Sequence, residues 1–130
     1  MRVRLTGIQT MSFFAVRCSS IRQSCLRFLI DMLNDEIDEV RIGALTGIGN
    51  FNRVLSLSDH EVDTVLFNLN EDNLELRRHI YALFSTTTIP ATNIDLLMRL
   101  INRIIANLWK YGASDRDLIF GVMKQMGRRH

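Results

Sequence analysis

Proline occurs once in these 130 residues, at Pro90, and cysteine only twice, at Cys18 and Cys25. With so few breakers and little alternation of Val, Thr and Tyr, the chain reads as helices rather than strands. No apolar run approaches the roughly 18 residues of a membrane span. The patch around Phe13 and Phe14 follows Arg2 and Arg4, as a targeting peptide would. Thr6, Gln9 and Thr10 interrupt it, and no small-residue cleavage site follows. The two cysteines are seven residues apart, on one helix face, in neither a redox nor a paired zinc spacing. They read as small buried apolar side chains in a reducing compartment.

The chain also lacks a Gly-rich phosphate cradle, a nucleophile elbow and a His-Glu-x-x-His pair. His60, His79 and His130 are scattered. His60 stands between Asp59 and Glu61, which invites a general-base reading, but neighbours in one helical turn point apart and cannot converge on a substrate. No catalytic, cofactor-binding or metal residue is therefore expected, and neither a small-molecule substrate nor a membrane is expected as partner.

Acid is absent from the first 30 residues, which carry five arginines. Residues 31–76 hold eleven acids against Arg41 and Arg53, and residues 77–130 hold nine Lys or Arg against three Asp. The net charge of +2 thus conceals a banded surface suited to steering protein partners. A chain of this length, 47% hydrophobic, is enough for one globular unit with a real core.

Helix-start signals recur: Ser20 with Gln23, Asp35 with Asp38, Ser58 with Glu61, Asp72 with Glu75, Thr92 with Asp95, and Ser114 with Asp117. In each, the first side chain can accept from orphan N–H groups and the third can reach back. Apolar stripes at helical spacing follow them: Leu26, Leu29, Ile30, Leu33; then Val40, Ala44, Leu45, Ile48; then Val62, Val65, Leu66, Leu69; then Leu76, Ile80, Leu83, Phe84. Leu97, Leu100, Ile101, Ile104, Ile105 and Leu108 form the longest stripe, and Leu118, Val122 and Met126 the last. Seven helices are expected, the first truncated, with a chain turn at Tyr111–Ser114.

Val3-Arg4, Val40-Arg41 and Leu76-Arg77 each open a helix, at intervals of 37 and 36 residues. Leu29, Leu33, Asp35, Val40 and Arg41 align with Val65, Leu69, Glu71, Leu76 and Arg77. Such a period means stacked helix pairs, none of which can bury its apolar face alone. The units are a partial 1–15, then 20–51, 58–86 and 92–129, within one segment spanning 1–130.

The order of apolar helix, acid, short turn, apolar-Arg and second apolar helix resembles the HEAT repeat. That resemblance implies an all-α, right-handed superhelix of HEAT/armadillo type, with about three helix pairs after the truncated first helix. It implies a structural ladder in which Asp35 and Glu71 are the acids and Arg41, Arg77 and Arg4 the bases. Asp115-Arg116 replaces the apolar-Arg pair in the last unit, which departs from the pattern. Asp35, Glu36, Asp38 and Glu39 lack the Gly and closing Glu of a calcium loop and suit a helix N-terminus instead.

Trp109, Lys110 and Tyr111, with Lys124, Arg128 and Arg129, form the one basic-aromatic cluster. It reads either as a contact for an acidic partner or RNA, or as a ring closing the core beside cations near helix C-termini.

The run Leu29–Arg41 (LIDMLNDEIDEVR), Val62–Leu66, Asp115–Asp117 and the closing Gly127–His130 resemble the HEAT region of the Integrator complex subunit 4 family. The resemblance implies a non-enzymatic nuclear scaffold that works with the other subunits of a large complex, including a nuclease pair. Contact with RNA would be indirect. The complex trims small nuclear RNA 3′ ends and cleaves nascent transcripts. A transport or trafficking adaptor and a direct RNA-binding module are the competing readings of the same repeat. The chain reads as part of a longer array, and uncapped ends of such an array are expected to associate.

Overall fold

The computed structural model describes residues 2–51 and 57–130, without the Phe51 side chain. Arg53 of the acidic band lies outside the described residues. Within them the chain is all-α: α1 (Arg2–Arg17), α2 (Arg22–Met32), α3 (Asp38–Phe51), α4 (Asp59–Phe67), α5 (Leu74–Thr86) and α6 (Ile94–Arg129). Short 3-10 turns precede α2 at Ser19–Ile21 and follow α4 at Asn68–Asn70.

The sequence pattern expects seven helices, whereas the described residues form six. The chain turn expected at Tyr111–Ser114 is a kink inside one 36-residue helix, where Tyr111 alone leaves helical geometry at φ −126°, ψ 26°. No described residue has positive φ, so Gly112 is not a left-handed helix stop. The helix bends at one residue and continues, giving α6 a first arm and a second arm.

These helices stack in two layers. α1 packs on α2 and α3, α3 on α2 and α5, α4 on α2 and α6, and α5 on α6. One layer holds α2, α4 and the first arm of α6; the other holds α1, α3, α5 and the second arm. The architecture is that of a helical solenoid. Four of the apolar stripes read from periodicity, those of α2, α3, α4 and α5, are buried in full. The α6 stripe is rotated from the expected one. Leu96, Leu100, Ile104 and Asn107 face inward, while Ile105 is exposed. α6 carries apolar residues on two faces, and periodicity alone does not choose between them.

Of the six proposed caps, Ser58 forms a full capping box with Glu61. Elsewhere the structure corrects the assignment by a residue or more. Asn73, not Asp72, accepts from Leu76 N–H, and Asn93, not Thr92, accepts from Leu96 N–H. Asparagine offers the same short acceptor as Asp or Thr, so spacing to the apolar stripe could not separate them. Ser20 sits inside a 3-10 turn, and Ser114 lies within the α6 helix. Asp35 accepts from Ile37 N–H at 2.9 Å in the turn before α3, so it closes a turn rather than capping a helix.

α1 and α3 run parallel and meet at two glycines. A Cβ at Gly43 would lie 3.3 Å from a Leu5 methyl, and one at Gly47 only 2.3 Å from Ser12 Oγ and 3.3 Å from both Leu29 methyls. Gly49, two residues on and on the open side of the helix, meets nothing within 4 Å. Gly49→Ala should therefore stabilise the chain by up to about 1 kcal/mol through helix propensity. Gly47→Leu should destabilise it by about 1–3 kcal/mol or more through overpacking. Urea unfolding of the two variants against the parent chain checks the opposite signs.

Candidate inter-repeat ladder and interaction faces

In the second layer, α1, α3 and α5 each carry near their start an arginine that reaches forward into the next helix pair. Arg4 on α1 forks onto Asp35, at 2.9 and 3.2 Å, in the turn between α2 and α3. Arg41 on α3 reaches Glu71, at 2.9 Å, in the turn between α4 and α5. It also grips Asp38 on its own helix and donates to Asn68 at 3.3 Å. Asp38 in turn accepts from Asn73 at 2.7 Å. The Asn73 and Arg41 hydrogen bonds hold the Asp38 carboxyl below its usual range. The Nε of Arg41 is buried without a partner among the described residues.

The third rung is the most enclosed. Arg77 on α5 pairs with Asp115 on α6 through two bonds, Nε to Oδ2 at 2.7 Å and Nη2 to Oδ1 at 3.0 Å. Arg77 is 2% exposed and Asp115 0%. Such a pair stabilises a fold only when further hydrogen bonds support it, and here each of its side-chain nitrogens and oxygens has a partner. Tyr81 Oη donates to Asp115 at 2.7 Å, and Ser114 Oγ donates to it at 2.7 Å. Asn107 donates to Tyr81 Oη at 3.0 Å and accepts from Arg103 at 3.0 Å. Arg77 Nη1 donates to the Glu71 carbonyl at 3.0 Å, and the guanidinium lies 3.7 Å from the Tyr111 ring centroid. Burial alone would push the Asp115 carboxyl up, but hydrogen bonds from Arg77, Tyr81 and Ser114, with the Arg77 charge, hold it below the usual range. Burial pushes the Tyr81 phenol well up, so it stays a neutral donor.

The structure thus places Arg4 against Asp35 and Arg41 against Glu71, but gives Arg77 a partner that sequence spacing alone did not pick out. The residue before the opening arginine is apolar and buried in α3 and α5, Val40 and Leu76, whereas Val3 before Arg4 is exposed. In α6 that buried place is held by Asp115 itself. A charged residue sitting in the apolar phase of a helix is the signal that marks it, and it is visible in Asp115-Arg116.

The first layer carries a second set of ties. Arg99 forks onto Asp63 at 2.8 and 2.9 Å and reaches Asp59 at 3.2 Å, while Asn93 donates to Asp59 at 2.7 Å. Arg103 also donates to Asn70. These side chains are half exposed, so each tie contributes little singly.

The basic-aromatic group divides. Tyr111 lies beneath Arg77, donates to Asp72 at 2.9 Å, and has Lys110 Nζ 5.0 Å from its ring centroid. Trp109 is 88% exposed and closes no part of the core. Lys124 and Arg128 are exposed near the far end of α6, and Arg129 donates to the Ser85 carbonyl at 3.1 Å. At 1.5 Å per residue, Trp109 and Arg128 are separated by about 28 Å of helix. Cys25 is buried, Cys18 is half-buried, and both are free thiols. Among the described residues no group of three or more His, Cys, Asp or Glu is placed to hold a metal ion, and no helix is long and apolar enough to cross a membrane. An open cleft of about 620 Å³ runs between α1 and α3, lined by Leu5, Gln9, Phe13, Val16, Thr46 and Asn50.

Two predictions separate the rungs. Arg77→Ala or Asp115→Ala strands a buried charge and should cost about 3–5 kcal/mol. Arg4→Ala breaks a half-exposed pair and should cost no more than about 1 kcal/mol. Denaturant midpoints at neutral pH give both. Because the folded Asp115 carboxyl is depressed, its contribution is fully present above the unfolded value of about 3.9. It is lost as pH falls through the lower folded value. The acid limb of stability against pH should therefore flatten in Asp115→Asn, measured by urea unfolding between pH 2 and 6.

No family model matches the chain. Individual relatives do. Human Integrator complex subunit 4 is 31% identical over 128 residues, 98% of this chain and 13% of that protein. The Dictyostelium discoideum Integrator complex subunit 4 homolog is 28% identical over 126 residues, 97% of this chain and 10% of its own length. The Drosophila melanogaster subunit 4 is 25% identical over 130 residues, the whole of this chain and 12% of its own. The chain spans between about a tenth and an eighth of the length of these relatives, and over nearly all its own residues it is homologous to a region of Integrator complex subunit 4.

Proposed function

We propose that this chain is a non-catalytic scaffold segment of the Integrator complex, a short stack of HEAT-type helix pairs in the nucleus. Its task is to hold other subunits in place, the nuclease pair among them, for 3′-end processing of small nuclear RNA. The observation that carries the reading is the match to Integrator subunit 4 along 98% of the chain. The geometry supports it. Arg4, Arg41 and Arg77 each tie one helix pair to the next, so neighbouring pairs hold a fixed register. A fixed register is what a surface needs to position partners.

The chemistry of RNA cleavage belongs, in this reading, to a partner. In the same reading, contact with RNA is indirect. Affinity purification of the tagged chain from nuclear extract of its source organism, read by mass spectrometry, tests the proposal. Integrator subunits including the nuclease pair are expected in the eluate. Arg77→Ala, which opens the buried rung, should deplete them. Their consistent absence with the parent chain would overturn the assignment.

A further inference from the structure

The main-chain N–H of Ile89 finds its acceptor on an ionisable ring. It lies in the connection between α5 and α6 and donates to Nε2 of His130 at 3.0 Å, across 41 residues of sequence. On the other side of the ring, Nδ1 stands 3.0 Å from the Met126 carbonyl, one turn back on the same helix. These two partners fix the protonation state between them. A main-chain N–H can only donate, so Nε2 must offer its lone pair. A carbonyl can only accept, so Nδ1 must carry the proton. Both contacts exist together only for the neutral Nδ1–H tautomer.

The connection that His130 holds is seated in the core. Ile89 is 3% exposed and Thr87 2%, and a main-chain donor in such a segment costs free energy if it is left unpaired. Arg129, one residue earlier than His130, donates from Nε to the Ser85 carbonyl at 3.1 Å. Two consecutive residues of α6 thus clasp the segment 85–89, one by a permanent cation and the other by an imidazole lone pair. The charged side chains near the ring on its own helix are Lys124, Arg128 and Arg129. Neither residues 82–93 nor residues 118–130 contain an Asp or Glu, so no side-chain carboxylate faces the ring from α5, the connection or the end of α6. The last ionisable side chain of α5 is Tyr81, and it is committed to Asp115 and Asn107.

From this geometry we infer that His130 is a proton-sensitive latch on the α5–α6 connection, closed while its imidazole is neutral and open once it is protonated. An imidazolium carries N–H on both nitrogens, so its Nε2–H would confront the Ile89 N–H, donor against donor. The ring must then leave Ile89, while the Arg129 tie to Ser85 remains. Histidine changes charge between about pH 5 and 8. The buried pair of Arg77 and Asp115 stays ionised across that window, because the Asp115 carboxyl is held below its usual range. Opening is therefore local to the connection and leaves the ladder standing.

Nuclear magnetic resonance of the full chain at about pH 8 and about pH 5 tests the latch. At the higher pH the ring nitrogens should report the Nδ1–H tautomer. Protection of the Ile89 amide from exchange, corrected for the intrinsic pH dependence, should fall about fivefold or more at the lower pH. The amides of Ile80 and Ile119 in the core should keep theirs. His130→Ala should leave Ile89 weakly protected at both pH values, although His60 and His79 still titrate. His130→Gln places an acceptor that does not titrate near the position of Nε2, and should keep Ile89 protected at both. The inference is overturned if the ring carries its proton on Nε2 at the higher pH, or if Ile89 is equally protected at both. It is also overturned if His130→Ala shows the same fall, or if Ile80 and Ile119 lose protection together with Ile89.

Discussion

The buried pairing of Arg77 with Asp115 sets the terms for the C-terminal half of the molecule. Neither charge can enter an apolar interior alone, since the desolvation cost of each is several kcal/mol. Each of their side-chain nitrogens and oxygens accordingly has a partner, with Tyr81, Ser114, the Glu71 carbonyl and, behind Tyr81, Asn107 completing the set. This fixes the second arm of α6 against α5 in one register, because a slip of one turn would leave a charge unpaired. The kink at Tyr111 follows the same constraint. The ring of Tyr111 lies over the Arg77 guanidinium while its hydroxyl holds Asp72, so the bend occurs where α6 crosses from one layer to the other.

The three rungs form a gradient of burial rather than three equal ties. Arg4 and Asp35 are open to water on one side, Arg41 is mostly enclosed with its Nε unused, and Arg77 is sealed. Exposed pairs are screened and contribute little, while enclosed ones gain strength only if complete. The N-terminal half therefore relies more on close packing than on charge. Gly43 and Gly47 let α1 approach α3 closely enough for Leu5, Ile8 and Ser12 to seat against the α3 backbone. Packing and ion pairing thus trade places along the stack.

Helix class, repeat period and the residues of the first two rungs were legible because each rests on spacing. Buried positions recur every three to four residues, and a stacked unit repeats its chemistry at a fixed interval. The stripes of α2, α3, α4 and α5 are local properties of the chain, and all their residues are buried, with Cys25, Arg41, Glu61, Arg77 and Tyr81 buried beside them. Caps were less legible, since Asp72 beside Asn73 and Thr92 beside Asn93 offer near-equivalent acceptors, and only backbone geometry selects one. The continuity of α6 through Gly112 was hidden for a related reason. Glycine ends a helix only where the chain adopts positive φ, and here it does not.

The amino-acid sequence by itself determined that this chain is helical, that its helices pair at a period of 36 to 37 residues, and that an arginine opens each second helix. It did so because periodicity is written in the order of residues. Tertiary structure alone decided which acid each arginine meets and which face of α6 turns inward. It also decided that Trp109 stands in solvent while Tyr111 lies beneath Arg77. Those outcomes depend on residues 26 to 44 positions apart arriving at one place, and no local pattern encodes that arrival.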